Sequence, residues 1–290
     1  MSQPYPFDCL AVHPPPEDLE TLTSYMIRLA EANGIQSISH LRRLLAPKQY
    51  FRPHLMGKLS DLYMQDFPDL ARAANCTVEQ IRQTTFFHLV VKFESRQPDH
   101  LLRDSLAPFL RFCPACLREA PYYRLDWRFL TLTGCPHHQC ALLDRCWHCH
   151  QTIPHLSHAL VMARCPHCHA DLKAGQTSAL TAAEYALTQQ RAQDLKYLLM
   201  PQDWESHVHD IRKGACAWLR VLRQEQRVSG LAMAQTLGIS EQALRYLECA
   251  QVERSNCPFE VYLALADHLQ TTWSSVFDMF HQQPELPHDP

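Results

Sequence analysis

Four pairs of metal-ligating residues lie in one stretch of the sequence: Cys113-Pro-Ala-Cys116, Cys135-Pro-His137-His138, Cys146-Trp-His-Cys149 and Cys165-Pro-His-Cys168. Eighteen residues separate the first two pairs and fifteen separate the last two, all within 56 residues. Because a Cys-x-x-Cys turn lets two sulfurs reach one ion, both gaps fit a four-ligand zinc site. The stretch therefore predicts two successive zinc sites.

The ligands divide into two sets in chain order. Site one takes Cys113, Cys116, Cys135 and His138, and site two takes Cys146, Cys149, Cys165 and Cys168. The fourth ligand of site one stays open, because His137 and Cys140 are close enough in sequence to compete with His138. Since each set is filled by protein ligands, we expect two structural zinc ions and no catalytic one.

Composition limits the class of protein. The 290 residues include 13 Cys, only 7 Gly against 20 Pro, and a net charge of −3. A chain of this length can form two or three compact units. We find no secretory signal and no apolar run long enough to span a membrane, so we expect a protein of the bacterial cytoplasm that binds no membrane. In that compartment the cysteines are better explained by metal than by disulfides.

The sequence divides into five segments. Residues 1–108 read as an N-terminal helical domain and 109–175 as the tandem zinc-binding region. Residues 176–210 read as a helical connector, 211–282 as a helix-turn-helix domain and 283–290 as a tail. The fold class we expect is mainly α with a small zinc-ribbon-like β part.

Local signals mark several helix ends in this division. Thr77 with Gln80 and Thr181 with Glu184 have the form of a capping box, and Asn33-Gly34 is a helix stop. Ser39 is a candidate cap for a second helix, and residues 55–62 and 66–74 read as short helices. Between the first two ligand pairs, the aromatic run from Tyr122 to Leu132 predicts a strand pair. Residues 88–93 fit either a strand or a helix end.

Two separated blocks of the sequence resemble the TniQ/TnsD family of transposon target-selection proteins. The first block carries Glu20, Leu22, Ser24, Arg28, Leu29, Ala30, Asn33 and Gly34. The second carries the first three knuckles with Pro121-Tyr-Tyr-Arg-Leu125, Trp127 and Leu143. The resemblance covers about residues 10–170. Gln139 and His150 stand where the family often has Gly.

This resemblance implies a non-catalytic adaptor for targeted DNA transposition. Such proteins mark an insertion site and recruit an AAA+ transposition ATPase. Some recognise target DNA directly, and others act with a CRISPR effector complex, of the Cascade or the single-protein type. The sequence leaves these two modes open, and it also leaves open whether the chain forms a homodimer.

The C-terminal segment has a helix-turn-helix pattern. Gly238 makes the turn and Ser240 caps the second helix of the motif. The order of helices resembles the Cro/cI-type phage-repressor domain, in which this second helix enters the major groove of DNA. That resemblance implies DNA contacts by Ser240, Gln242 and Arg245. The alternative function is therefore a stand-alone, sequence-specific transcriptional regulator with structural zinc.

We expect no enzymatic activity. His207-x-His209-Asp210 resembles part of a metallo-hydrolase motif but lacks the partner ligands. The sequence contains no zinc-protease His-Glu-x-x-His motif, no deaminase motif and no phosphate-binding Gly-rich loop.

Overall fold

The structure is a computed structural model. It describes residues 9–45, 61, 70–93, 101–102, 104–155, 161–201, 223, 227–248 and 259–281. The predictions made for residues 55–60, 66–69, 207–210 and the tail from 283 lie outside the described residues.

The described part is mainly helical, as the sequence predicted. The α-helices, in chain order, are α1 Leu22–Ala32, α2 Ile38–Leu45, α3 Leu70–Ala73, α4 Val78–Arg82, α5 Phe87–Lys92, α6 Pro114–Glu119, α7 Ala182–Leu199, α8 Gly230–Thr236, α9 Glu241–Glu248, α10 Phe259–His268 and α11 Trp273–His281. Two 3₁₀ turns span Asp126–Arg128 and Leu172–Ala174. In the described residues none of these helices is long and apolar enough to cross a membrane.

The β structure is small. Strands β1 Gly134–Cys135 and β2 Cys140–Ala141 form one antiparallel pair, in which Cys135 lies opposite Cys140. The strand pair predicted between Tyr122 and Leu132 is wrong. That segment forms a 3₁₀ turn and isolated bridges, because successive residues pair with different distant segments, such as Arg124 with Glu20 and Phe129 with Leu106.

The chain divides into two compact units. The first contains residues 1–88 and 106–199, and the second contains residues 89–105 and 200–290. Residues 89–105 therefore group with the C-terminal residues rather than with the helices that precede them in sequence. The five segments proposed from sequence stay a prediction.

Several predicted helix ends are present in the first unit. Thr77 and Gln80 form a reciprocal capping box at α4, and Thr181 and Glu184 do the same at α7. Helix α1 ends at Ala32, and Gly34 follows with φ +64°. At α2, however, Ser39 lies inside the helix. Ser37 caps it instead, with its hydroxyl accepting from the His40 N–H at 3.3 Å.

Helix α1 and the Tyr122–Trp127 segment are joined directly. Ser24 Oγ accepts from the Tyr123 N–H at 2.9 Å and donates to Glu20 Oε1 at 2.8 Å. The Thr21 N–H donates to the Tyr123 carbonyl at 2.9 Å. The two sequence blocks that carry the family resemblance are thus one packed structure.

The second unit has an aromatic core. Phe93 lies edge-on to Phe259, Tyr262 and Phe277, with ring centroids 5.4, 4.7 and 4.8 Å away. Ser229 caps helix α8, and its hydroxyl accepts from the Ala232 N–H. Gly238 has φ +66° in the short connection between α8 and α9. Positive φ suits glycine there, because a side chain would strain the backbone.

Candidate metal centres

The first cluster gathers four potential ligands at one point of the first unit. Cys113 is the N-cap of α6, Pro114 begins the helix, and Cys116 lies one turn on. Cys135 lies on β1, and His138 lies in the turn between the strands. The ligand atoms of Cys113, Cys116, Cys135 and His138 all lie within 4.8 Å of one another.

Distances inside this cluster suit one tetrahedral ion. His138 Nδ1 lies 3.2 Å from Cys116 Sγ and 3.6 Å from both Cys113 Sγ and Cys135 Sγ. Cys116 Sγ lies 3.5 Å from Cys135 Sγ. A zinc–sulfur bond of about 2.3 Å places neighbouring tetrahedral sulfurs about 3.8 Å apart, so the cluster needs little adjustment.

The competing ligands of site one lie in different places. His137 is exposed and stands outside the four-residue group. Cys140 is buried, and its Sγ lies 3.6 Å from Cys113 Sγ, although it too stands outside the group. The structure therefore brings His138 into the cluster and leaves Cys140 beside it.

Glu119 contacts His138, a pairing that was not predicted from the sequence. Its Oε1 lies 2.9 Å from His138 Nε2, on the side of the ring opposite the three sulfurs. A carboxylate that accepts from Nε2–H leaves Nδ1 free to bind metal and fixes the ring orientation. The sequence feature that could have indicated this pairing is the spacing of Glu119 from Cys116, because residues three apart on a helix share a face.

The second cluster contains cysteine only. Cys146 Sγ lies 3.7 Å from Cys168 Sγ, and Cys149 Sγ lies 3.7 Å from Cys165 Sγ. All four sulfurs lie within 4.8 Å of one another. This close approach of four thiols again suits one tetrahedral ion of soft or borderline character.

Three of the four ligand pairs share one turn geometry. His150 N–H donates to the Cys146 carbonyl and His169 N–H to the Cys165 carbonyl, both at 3.0 Å. The matching contact in the first cluster runs from Gln139 N–H to the Cys135 carbonyl. All three donors have positive φ, from 51° to 60°. Each turn thus folds the chain back so that both ligands of its pair reach the same point.

Hydrogen bonding already favours a thiolate in the first cluster. The Cys116 thiol, followed by that of Cys135, lowers the pKa of Cys113. Thiolate is the form that binds metal. Both clusters could thus hold metal ions, consistent with zinc, and a full set of protein ligands leaves no position for a substrate.

A cavity of about 190 Å³ adjoins the first cluster. It is lined by Cys116, Glu119, Ala120, Tyr122, Arg124, Trp127 and His137. Arg124 is paired with Asp126 through two contacts of 3.1 and 3.0 Å. The indole Nε1 of the buried Trp127 has no hydrogen-bond partner among the described residues.

The candidate DNA-binding residues lie on the surface of the second unit. Ser240, Gln242 and Arg245 are exposed at the start of α9. Arg245 is 73% exposed, and its guanidinium lies 2.6 Å from the carboxylate of Glu241, one helical turn earlier. The three side chains can therefore reach a ligand in solvent, with Glu241 competing for Arg245.

Comparison with known families gives a match to part of the chain. The family model described as TniQ matches residues 11–142. This stretch of the chain is similar to the TniQ family. The match runs from just before α1 to the end of β2 and includes the whole first cluster. A search of curated proteins returned no match to the chain. A TniQ domain fits a role in target selection for Tn7-like transposition, and the TniQ family is one of non-catalytic adaptors.

Proposed function

We propose that the chain is a non-catalytic target-selection adaptor of a bacterial Tn7-like transposition system. It links target DNA, or a CRISPR RNA-guided complex, to the AAA+ ATPase that regulates the transposase. The observation that carries the proposal is the TniQ match over residues 11–142. The two closed ligand sets support it, because they suit structural zinc rather than catalysis.

The first unit is the proposed docking partner of the ATPase. Its cavity beside the first cluster combines apolar walls with exposed polar groups, notably Glu119 and His137. Concave sites of this mixed character are where proteins bind ligands and partner side chains. The half-buried Tyr122 lies on the same wall. A partner residue inserted there would contact the rigid surroundings of a metal site.

A pull-down tests this role. The full chain, loaded with zinc, should retain the AAA+ ATPase encoded by the same element. The double variant Tyr122→Ala with His137→Ala should retain at least tenfold less, while Leu187→Ala, an exposed change elsewhere in the first unit, should bind normally. Equal retention by all three proteins would exclude the cavity, and no retention by the unaltered chain would exclude the ATPase as partner.

The second unit is the proposed contact to target DNA. A helix-turn-helix bundle presents the start of its second motif helix to the major groove, where Gln and Arg read base edges or hold phosphates. Ser240 directly precedes α9, Gln242 and Arg245 lie on it, and all three are exposed, which supports this proposal. Their exposure is the observation that supports DNA contact over a purely structural helix.

Gel shifts with the full chain at several salt concentrations test the contact. Gln242→Ala or Arg245→Ala should each weaken duplex binding by about tenfold, since one good contact contributes about 1–3 kcal/mol. Gln235→Ala, an exposed change on the preceding helix, is the matched control. No DNA binding by the unaltered chain would assign the second unit to the guide-complex mode instead.

The second candidate function is a stand-alone transcriptional regulator, which the same exposed residues of α9 favour. The two candidate functions are distinguished by whether the chain binds a specific duplex alone and whether targeted insertion requires it. A regulator binds a specific duplex tightly without any other component, and transposition proceeds without it. The adaptor is required for targeted insertion whichever way its second unit reaches the target.

A further inference from the structure

The first cluster has five candidate ligands for four positions. Cys140 Sγ lies 3.6 Å from Cys113 Sγ, and His138 Nδ1 lies at the same distance from that sulfur. Cys140 is only 7% exposed, so its thiol faces the cluster region rather than solvent. A tetrahedral ion takes four ligands, and the fifth group is not accounted for by the site described above.

The short β ladder brings Cys140 close to a second ligand. Cys135 and Cys140 are directly opposite each other in the antiparallel pair. Side chains of directly opposite residues lie on the same face of a sheet, about 5 Å apart at Cβ. Cys140 therefore lies beside two of the three thiol ligands, Cys113 and Cys135, whereas His138 reaches the cluster from the turn between the strands.

We propose that Cys140 is an alternative fourth ligand of site one. Zinc, a borderline ion, binds Cys113, Cys116, Cys135 and His138. A softer, thiophilic ion such as Cd²⁺ binds Cys113, Cys116, Cys135 and Cys140, because thiolate is preferred over imidazole as the ion becomes softer. In that exchange the Cys140 thiol would give up its proton as its sulfur binds the ion, and His138 Nδ1 would leave the ion.

Two features of the structure set which ligand is used. Cys140 lies outside the group whose ligand atoms are all within 4.8 Å of one another, so its use as a ligand would require a small rearrangement of the cluster. His138 is held in place by Glu119 at 2.9 Å. Glu119 therefore favours the histidine form, and loss of this carboxylate favours the thiolate form.

The inference rests on metal binding by the two clusters, and the tests separate the two claims. Metal analysis is made on the zinc-loaded full chain, with site two as an internal standard. His138→Ala and Cys140→Ala should each retain two zinc ions, and the double variant should retain one. The control is His13→Ala, an exposed histidine far from both clusters in sequence, which should retain two zinc ions.

Each other result decides the matter. Loss of one ion from His138→Ala alone would overturn the proposal, because Cys140 then does not substitute for histidine. Loss of one ion from Cys140→Ala alone would overturn it too, because Cys140 is then the principal ligand. Fewer than two ions in the unaltered chain would reject the pair of zinc sites themselves.

A second measurement does not depend on how His138→Ala folds. The ¹¹³Cd-substituted unaltered chain should give two resonances in the range of four-sulfur sites. In Cys140→Ser one resonance should move to the range of three sulfurs and one nitrogen, while the other stays. Two unmoved resonances in Cys140→Ser would show that cadmium does not use Cys140.

Discussion

Glu20 is a carboxyl group enclosed by protein at the start of α1. It accepts from Ser24 Oγ at 2.8 Å, from Arg28 Nη1 at 2.5 Å and from the Glu17 N–H at 3.0 Å. Burial raises its pKa from 4.5 to about 7, although the charge of Arg28 acts in the opposite direction. Between pH 4.5 and about 7, Glu20 is therefore mostly protonated in the folded chain and mostly ionised in the unfolded chain.

This shift predicts a pH dependence of stability. Between pH 4.5 and 7 the folded state binds more protons at Glu20 than the unfolded state, so stability falls as pH rises through this window and then levels off. Glu20→Gln cannot titrate. The free energy of unfolding of the unaltered chain, minus that of Glu20→Gln, should fall by about 2 kcal/mol from pH 5.5 to 7.5. Urea unfolding measures it, and a constant difference would contradict the shift.

His150 adopts a conformation that favours glycine. Its φ is +57°, and it is exposed, so its side chain has little packing to lose. His150→Gly should therefore raise the free energy of unfolding by about 1 kcal/mol, while the branched side chain of His150→Val should lower it by more than that. Thermal unfolding of the zinc-loaded chain compares them. A valine variant as stable as the unaltered chain would disagree with the left-handed turn.

At the scale of elements, helix ends were predictable where their chemistry is local. Thr77 with Gln80, and Thr181 with Glu184, act within four residues, so the sequence alone placed α4 and α7. The Tyr122–Leu132 segment could not be placed in this way. Its residues Tyr123 and Leu125 form backbone hydrogen bonds with Thr21 and Leu19, about a hundred residues earlier in the chain. Ser37 caps α2 instead of Ser39 because the helix begins at Ile38, two residues earlier than a cap at Ser39 predicts.

Phe93, directly after α5, is a second residue whose packing could not be predicted from the local sequence. Nothing in its local sequence indicates that its ring packs among Phe259, Tyr262 and Phe277. Phe93→Ala should destabilise the second unit by about 3–5 kcal/mol, because it leaves a cavity in an aromatic core. Hydrogen exchange of residues 259–281 should accelerate accordingly. Leu231→Ala, an exposed change in the same unit, should leave exchange unaltered, and unaltered exchange in Phe93→Ala would contradict the packing.

At the scale of the molecule, spacing alone identified the eight side chains that the structure gathers into two clusters. A Cys-x-x-Cys turn is local, so its two sulfurs converge whatever the rest of the chain does. Glu119 and the position of Cys140 beside Cys113 needed the folded structure, since both depend on where α6 lies relative to the β pair.

Removal of metal should unfold the region that contains the clusters. A structural zinc ion contributes about 10–16 kcal/mol of apparent binding free energy at neutral pH, which is as large as the stability of a whole domain. Treatment with a chelator should expose residues 113–175 to proteolysis and lower the melting temperature. Zinc, but not magnesium, should reverse both effects. An unchanged melting curve after complete metal removal would exclude a folding role for the clusters.

Mapping of insertion sites tests whether this chain selects the target of a transposition system. Cells carry the complete element, the element without this gene, or the element with Cys146→Ser and Cys149→Ser in the chain, and insertion sites are sequenced. We expect targeted insertions to disappear in the last two cases and to return with the unaltered gene. Targeted insertion at the same frequency without the gene would contradict this expectation.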